Sequence, residues 1–264
     1  MKRTVRALLF LLFAALSAVA LTACSKEHYM EDFRYASNGD GTCYVEDIGF
    51  CTDEKIVIPA YTKKGERVTG IGNHAFKESK NITEITIPAS VASIGRLAFA
   101  NCDNLVRFVV DEANESYCTI DGNLYTKDAK TLVQYAIGKP EESFTVPKGV
   151  ETVGRYAFRG CQNLESVELP KSVIFIGARA FYFCKNLKSV TMPKGLLTIE
   201  EHAFAYCESL ESMVIPSAVT RVGAYAFRGC DSLRKINCEA AQKPIMWHEK
   251  WNAEKAVVWS YEQP

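Results

Sequence analysis

The sequence predicts a solenoid in which short strand-and-turn units are stacked one on the next. Three observations predict it. Phe158, Phe181, Phe204 and Phe227, each preceded by alanine, stand 23 residues apart, and Phe76 to Phe99 is 23 again. Six of the nine prolines, Pro59, Pro88, Pro147, Pro170, Pro193 and Pro216, hold one place in that frame. Cys102, Cys161, Cys184, Cys207 and Cys230 follow the phenylalanine by three residues, where the first copy has Ser79. Phe99 to Phe158 spans 59 residues, one unit plus a 36-residue insertion.

In chain order, residues 1–23 read as an export signal: Lys2, Arg3 and Arg6 precede an unbroken apolar and small run from Ala7 to Ala20. That run is shorter than the ~20 residues a membrane-spanning helix needs. It ends in Leu21-Thr22-Ala23-Cys24, which resembles a bacterial lipobox and implies cleavage before Cys24 with lipid on its thiol and new amino terminus. Residues 24–37 then form a polar tether. The whole chain balances 31 Lys+Arg against 31 Asp+Glu, and without the signal it carries 28 against 31. Nothing in that balance favours a nucleic-acid partner, which calls for a clear basic excess.

Residues 38–58 hold two β-prone runs, Thr42–Val45 and Ile56–Ile58, expected to cap the first layer. The frame occupies 59–237 and is cleanest from Leu164 to Cys184. Leu164, Val167 and Leu169 suit a half-buried strand, and Pro170 ends its pairing because it has no N–H. Val173 and Ile176 point inward from a second extended piece. Gly177 permits a sharp bend or a close backbone approach, although the fifth copy has Glu200 there. Ala180-Phe181-x-x-Cys184-x-x-Leu187 has the spacing of a helical turn. One unit buries too little to offset the entropy of ordering its backbone, so units are stable only when stacked.

The I-P-x-x-V-x-x-I-G-x-x-A-F-x-x-C-x-x-L frame, present six times from about Ile56 to Ile236, is similar to that of BspA-like leucine-rich-repeat proteins. The resemblance implies a leucine-rich-repeat solenoid with a parallel β-sheet on one face, surface display, and adhesion or protein recognition without chemistry. The insertion, at about 111–143, contains Asp121-Gly122 and Asp128-Ala129-Lys130 between β-prone runs, and is also similar to a hairpin that interrupts repeats in this family. After Ile236 the frame breaks, and 238–264 read as a C-terminal cap holding all three tryptophans. Trp247, Trp251 and Trp259 can seal the last layer, while a carbohydrate-stacking surface on Trp247 and Trp251 is the alternative.

No catalytic constellation assembles from the sequence. The four histidines are scattered, no phosphate-cradling glycine loop occurs, and neither a C-x-x-C pair nor an EF-hand is present. Neither a metal nor a cofactor is expected. The cysteine column lies inward; its layer spacing of ~4.8 Å would tolerate disulfides, but parallel side-chain directions favour buried thiols. Cys43 and Cys51 lie outside the frame and could bridge the cap.

Recognition is expected in the variable slots. Ile174, Phe175 and Leu197 are apolar where other copies are mostly polar, and Tyr182, Phe183 and Tyr206 place aromatics after the Ala-Phe pair. Such residues make a protein-contact patch unless the insertion or the chain's own edge covers them. Together with the lipobox-like sequence, the family resemblance implies a non-enzymatic, lipid-anchored cell-surface protein binding a host or neighbouring-cell protein. The alternative is a glycan-binding or envelope scaffold module.

Overall fold

A computed structural model describes residues 33–262, so Cys24 and the export signal expected over residues 1–23 lie outside the described residues. The chain is a solenoid, and each layer contributes two short strands to two parallel ladders. In one layer Ser166–Glu168 pairs with Ser189–Thr191, Val167 opposite Val190, while Phe175–Ile176 pairs with Thr198–Ile199. Inward residues alternate with outward ones along each strand, so Val167 and Ile176 are buried while Glu168 faces solvent.

The third side of each layer differs from the helical turn that the sequence predicts. Residues 178–183 form consecutive reverse turns, because every second N–H leaves the layer. The amides of Arg179, Phe181 and Phe183 donate to the carbonyls of Glu201, Ala203 and Ala205 in the next layer at 3.0, 2.7 and 3.0 Å. Those of Ala180, Tyr182 and Cys184 donate three residues back within their own layer, each at 3.2 Å. Left-handed backbone at Arg179 (φ 56°) and Phe183 (φ 62°) excludes a helix over the same residues. Reverse turns also bring residues three apart together, which is why the spacing imitated a helix.

Gly177 serves close approach rather than a positive φ: a Cβ there would lie 2.7 Å from the amide nitrogen of Arg155 in the preceding layer. Glu200, at the same slot of the next layer, likewise has no left-handed backbone, so the slot does not demand a positive φ.

Identical side chains stack into columns through the core. The rings of Phe158, Phe181, Phe204 and Phe227 lie 4.7, 4.9 and 5.6 Å apart with planes within 8° of parallel. Beside them the cysteine column is buried, and Cys184, Cys207 and Cys230 donate their thiols to the carbonyls of Phe158, Phe181 and Phe204 at 3.0 to 3.1 Å. These are thiols, as is Cys43, so no bridge joins Cys43 to Cys51. Burial pushes the Cys102 and Cys230 thiols up to about 12.

The insertion opens with Asn114, which is fully buried and donates Nδ2 to the carbonyls of Pro88 and Val91 at 2.8 and 2.9 Å. Tyr117–Ile120 and Asn123–Thr126 then form an antiparallel hairpin across Asp121-Gly122, both left-handed, as this two-residue turn requires. Thr131–Gln134 pairs antiparallel with that hairpin and parallel with Thr152–Val153. Tyr135 follows in the phenylalanine column, 5.3 Å from the Phe158 ring, with its amide bonded to Ala157 as the amides of Phe76, Phe158, Phe181 and Phe204 are bonded to the next layer. Part of the insertion is thus a disguised layer. It also divides the core, since Leu124 and Ala136 join the N-terminal cluster and Tyr125, Leu132 and Tyr135 the C-terminal one.

Both ends of the phenylalanine column are closed edge-on, by Phe33 against Phe76 at 6.1 Å and by Trp251 against Phe227 at 6.2 Å. Trp247 and Trp251 are each only 2% exposed, and the Trp247 indole N–H donates to the Val219 carbonyl at 3.1 Å. This corrects the carbohydrate-stacking alternative, because neither ring offers a face to a ligand. Sealing the last layer consumes both.

Candidate functional site

The turn wall carries two left-handed positions per layer. One precedes Ala-Phe (His74, Leu97, Tyr156, Arg179, His202, Tyr225) and the other follows it by two residues (Glu78, Asn101, Gly160, Phe183, Tyr206, Gly229). Glycine adopts this backbone without cost, whereas a side chain with a Cβ costs roughly 1–2 kcal/mol. At the second position the column reads Gly160, Phe183, Tyr206, Gly229, so two bulky aromatics occupy strained slots between two glycines. Gly229 is required there for a second reason: a Cβ on it would fall 2.6 Å from Cδ1 of Tyr206.

Tyr182, Phe183 and Tyr206 form one cluster on this wall. Phe183 stacks on Tyr206 at 4.8 Å with planes 9° apart, and Tyr182 meets them edge-on at 4.7 and 5.4 Å. All three are half-buried and retain open ring area. Arginines of the flanking Arg-Gly layers bracket them, Arg159 over Tyr182 at 5.8 Å and Arg228 over Tyr206 at 6.0 Å. Among the described residues neither guanidinium is ion-paired; Arg159 donates to the Asn101 Oδ1 at 2.7 Å.

The neighbouring column extends the same cationic and aromatic character. Arg179 pairs with Glu201 at 2.8 Å, and Arg228 and Lys250 lie 5.7 and 5.9 Å from the Tyr225 ring. Burial disfavours ionisation of Tyr156, but the hydrogen bond from Arg96 and the charges of Arg179, Arg96 and Arg155 outweigh it and hold the phenol below its ordinary value. Burial, helped by Arg179 and Arg228 against Glu201, lowers the imidazole of His202 below its ordinary value. The wall therefore presents arginine donors and aromatic faces, with Glu201 paired to Arg179 and Glu208 paired to Lys185 beside the Phe183 ring.

Ile174, Phe175 and Leu197 lie apart from that ring cluster. Ile174 and Leu197 are 42% and 43% exposed in adjacent layers, at the start of the short second strands, and Phe175 is half-buried within its strand. The ring contacts join Tyr182, Phe183 and Tyr206 and do not reach Phe175. The six sequence-predicted residues thus fall into two groups. Arg159, Arg228 and Gly229 were missed as site residues, although their 23-residue register with the aromatics was open to inspection.

The fold has counterparts among known proteins. The structure resembles the crystal structure of the pneumococcal vaccine antigen PcpA, with TM-score 0.63 and 24% identity over 81% of this chain and 58% of that one. The chain thus spans little more than half of that antigen's length. A leucine-rich cell surface protein from Faecalibacterium prausnitzii aligns with TM-score 0.52 and 20% identity over 88% of this chain and 94% of that one. A leucine-rich-repeat protein of T. pallidum aligns with TM-score 0.50 and 23% identity over 79% and 91%. At these identities the likeness establishes the fold. No curated protein matches the chain. The sequence model of the BspA-type leucine-rich-repeat region matches six copies over residues 51–129 and 138–246, most of the chain, and the protein belongs to that family.

Proposed function

We propose that this chain is a non-enzymatic surface protein that binds a partner protein, on a host or neighbouring cell, through the turn wall built on Tyr182, Phe183 and Tyr206. One observation carries the reading: two large aromatics occupy left-handed slots that glycine fills in the flanking layers, so their rings are held at the surface against a conformational cost. Exposed aromatics bracketed by arginines have the composition of binding hot spots. Surface display is supported by the family and by the description of the F. prausnitzii relative as a cell surface protein. The Leu21-Thr22-Ala23-Cys24 sequence supports anchoring through lipid on Cys24. Ile174, Phe175 and Leu197 extend the apolar contact on the adjoining strand wall.

Two measurements test this. Protease shaving of intact cells should release the solenoid from wild type, and a Cys24→Ala variant should no longer be held at the membrane; protection until the envelope is broken would remove surface display. The released solenoid should retain a cell-surface protein that a Tyr182→Ala/Phe183→Gly/Tyr206→Gly variant, shown by its cooperative melting to be folded, does not retain. Equal retention by both would overturn the assigned surface.

A further inference from the structure

A second surface lies at the opposite corner of the layers, where the first strand exits at proline. Lys148, Lys171 and Lys194 follow Pro147, Pro170 and Pro193 in three successive layers. The pairing of Thr145 with Glu168, and of Ser166–Glu168 with Ser189–Thr191, places these lysines in register, so their Cα atoms rise by one layer, ~4.8 Å, at each step. All three are exposed, and among the described residues none is ion-paired.

Elsewhere this protein stacks opposite charges between layers. Lys80 pairs with Asp103 and Arg107 with Glu84, each 23 residues away, Lys185 reaches Glu208 at 2.9 Å, and Lys188 reaches Glu165 at 2.7 Å. The lysine ladder breaks that rule, placing three like charges in a row at a register the fold uses for ion pairs. Such an arrangement is unfavourable until an anion joins it.

The ladder borders an open groove of about 1090 Å³. Its floor is apolar, from Leu169, Pro170, Met192 and Pro193, and its far wall carries the outward side chains of Thr145, Glu168 and Thr191. Glu168 accepts a hydrogen bond from Thr145 at 3.3 Å and offsets one lysine, leaving a net positive groove. Beyond Lys194 the column continues as Ser217, whose amide is bonded to Glu239 at 3.0 Å, so the cationic stretch ends with the third layer.

We propose that this groove binds an acidic polysaccharide, a chain of sugar acids carrying one carboxylate per ring. Three features select that class. Regular single charges along a line match a polymer with one anion per repeat. The apolar floor suits the C–H faces of sugar rings, and the threonines suit their hydroxyls. An acidic peptide such as polyglutamate fits less well, because it has neither flat C–H ring faces for the apolar floor nor hydroxyls for the threonines. The site is separate from the aromatic turn wall, and neither depends on the other.

The test is binding of polygalacturonate to the full-length protein, compared with its methyl-esterified form and with polyglutamate. Polygalacturonate should bind with an affinity that falls as salt rises, and Lys148→Gln/Lys171→Gln/Lys194→Gln should weaken it at least about tenfold, while the triple arginine variant should retain it. Esterified polymer and polyglutamate should each bind at least about tenfold more weakly than polygalacturonate. Melting temperatures of the variants, set beside wild type, verify that each is folded. No binding of polygalacturonate, undiminished binding by the glutamine variant, or equal binding of the esterified polymer would overturn the site. Equal or tighter binding of polyglutamate would overturn the assignment to a polysaccharide. Phe183→Gly should leave this binding unchanged even where it abolishes capture of the protein partner.

Discussion

The rings of Phe183 and Tyr206 stack at 4.8 Å with planes 9° apart, and both residues have left-handed backbone, at φ 62° and 63°. Each ring is thus displayed by a conformation that favours glycine. Phe183→Ala should destabilise the fold by about 1–2 kcal/mol, because it loses the stacking and keeps the strain. Phe183→Gly should be more stable than Phe183→Ala by about 1 kcal/mol, the reverse of the order in ordinary extended or helical backbone. Chemical denaturation of the pair checks this, and an alanine variant as stable as the glycine variant would show that the site is not strained.

Gly229 makes room for the Tyr206 ring, while a Cβ on Gly160 would meet only the Asn101 Oδ1, at 3.8 Å. Both are left-handed. Gly229→Ala should therefore cost more than Gly160→Ala, by about 1 kcal/mol, and the excess should vanish in a Tyr206→Ala background. A double-mutant cycle measures that coupling.

Phe181 is fully buried between Phe158 and Phe204, and Arg179 two residues earlier is half-exposed. Phe181→Ala should cost about 3–5 kcal/mol, and Phe181→Asp should cost more by burying an unpaired carboxylate. Arg179→Asp exchanges one exposed ion pair with Glu201 for repulsion and should cost no more than about 1 kcal/mol. Equal melting temperatures for Phe181→Asp and Arg179→Asp would refute the placement of the column.

The cysteine column should show itself in both reactivity and pH dependence. Burial raises the Cys102 and Cys230 thiols from 9.0 to about 12, and raises Cys161 and Cys207 well above 9.0. Because the folded state binds these protons more tightly than the unfolded state, their contribution is present below pH ~9 and is lost as pH rises toward ~12. Stability measured by denaturant should fall over that window, and less steeply in a Cys102→Ala/Cys230→Ala variant. At neutral pH, alkylation should mark the partly exposed Cys118 before any column thiol.

Much of the fold was legible because burial repeats with the chain. A phenylalanine or cysteine at a fixed interval is buried in every copy only if the layers stack in register, so the columns follow from spacing alone. The aromatic trio was legible for the complementary reason, as Tyr182, Phe183 and Tyr206 depart from the residues that share their slots. Their strain was not, since φ depends on where the neighbouring amides find acceptors. Tyr135 escaped the frame because its layer is shortened: Leu132 pairs with Val153, 21 residues on, while Tyr135 lies 23 residues before Phe158.

By itself the sequence determined the period, the inward columns, the strand exits at proline and the break at the insertion, all of which arise from local chemistry repeated at one interval. Only the tertiary structure decided that the wall after Gly177 is a run of left-handed turns, because the acceptors for Arg179, Phe181 and Phe183 belong to residues 22 positions away. It likewise decided that Trp247 and Trp251 close the core rather than face solvent, since an open last layer leaves apolar surface that those two rings bury. Lysines spaced along the chain became a ladder for the same reason: hydrogen bonding between layers turns a sequence interval into a distance of one strand spacing.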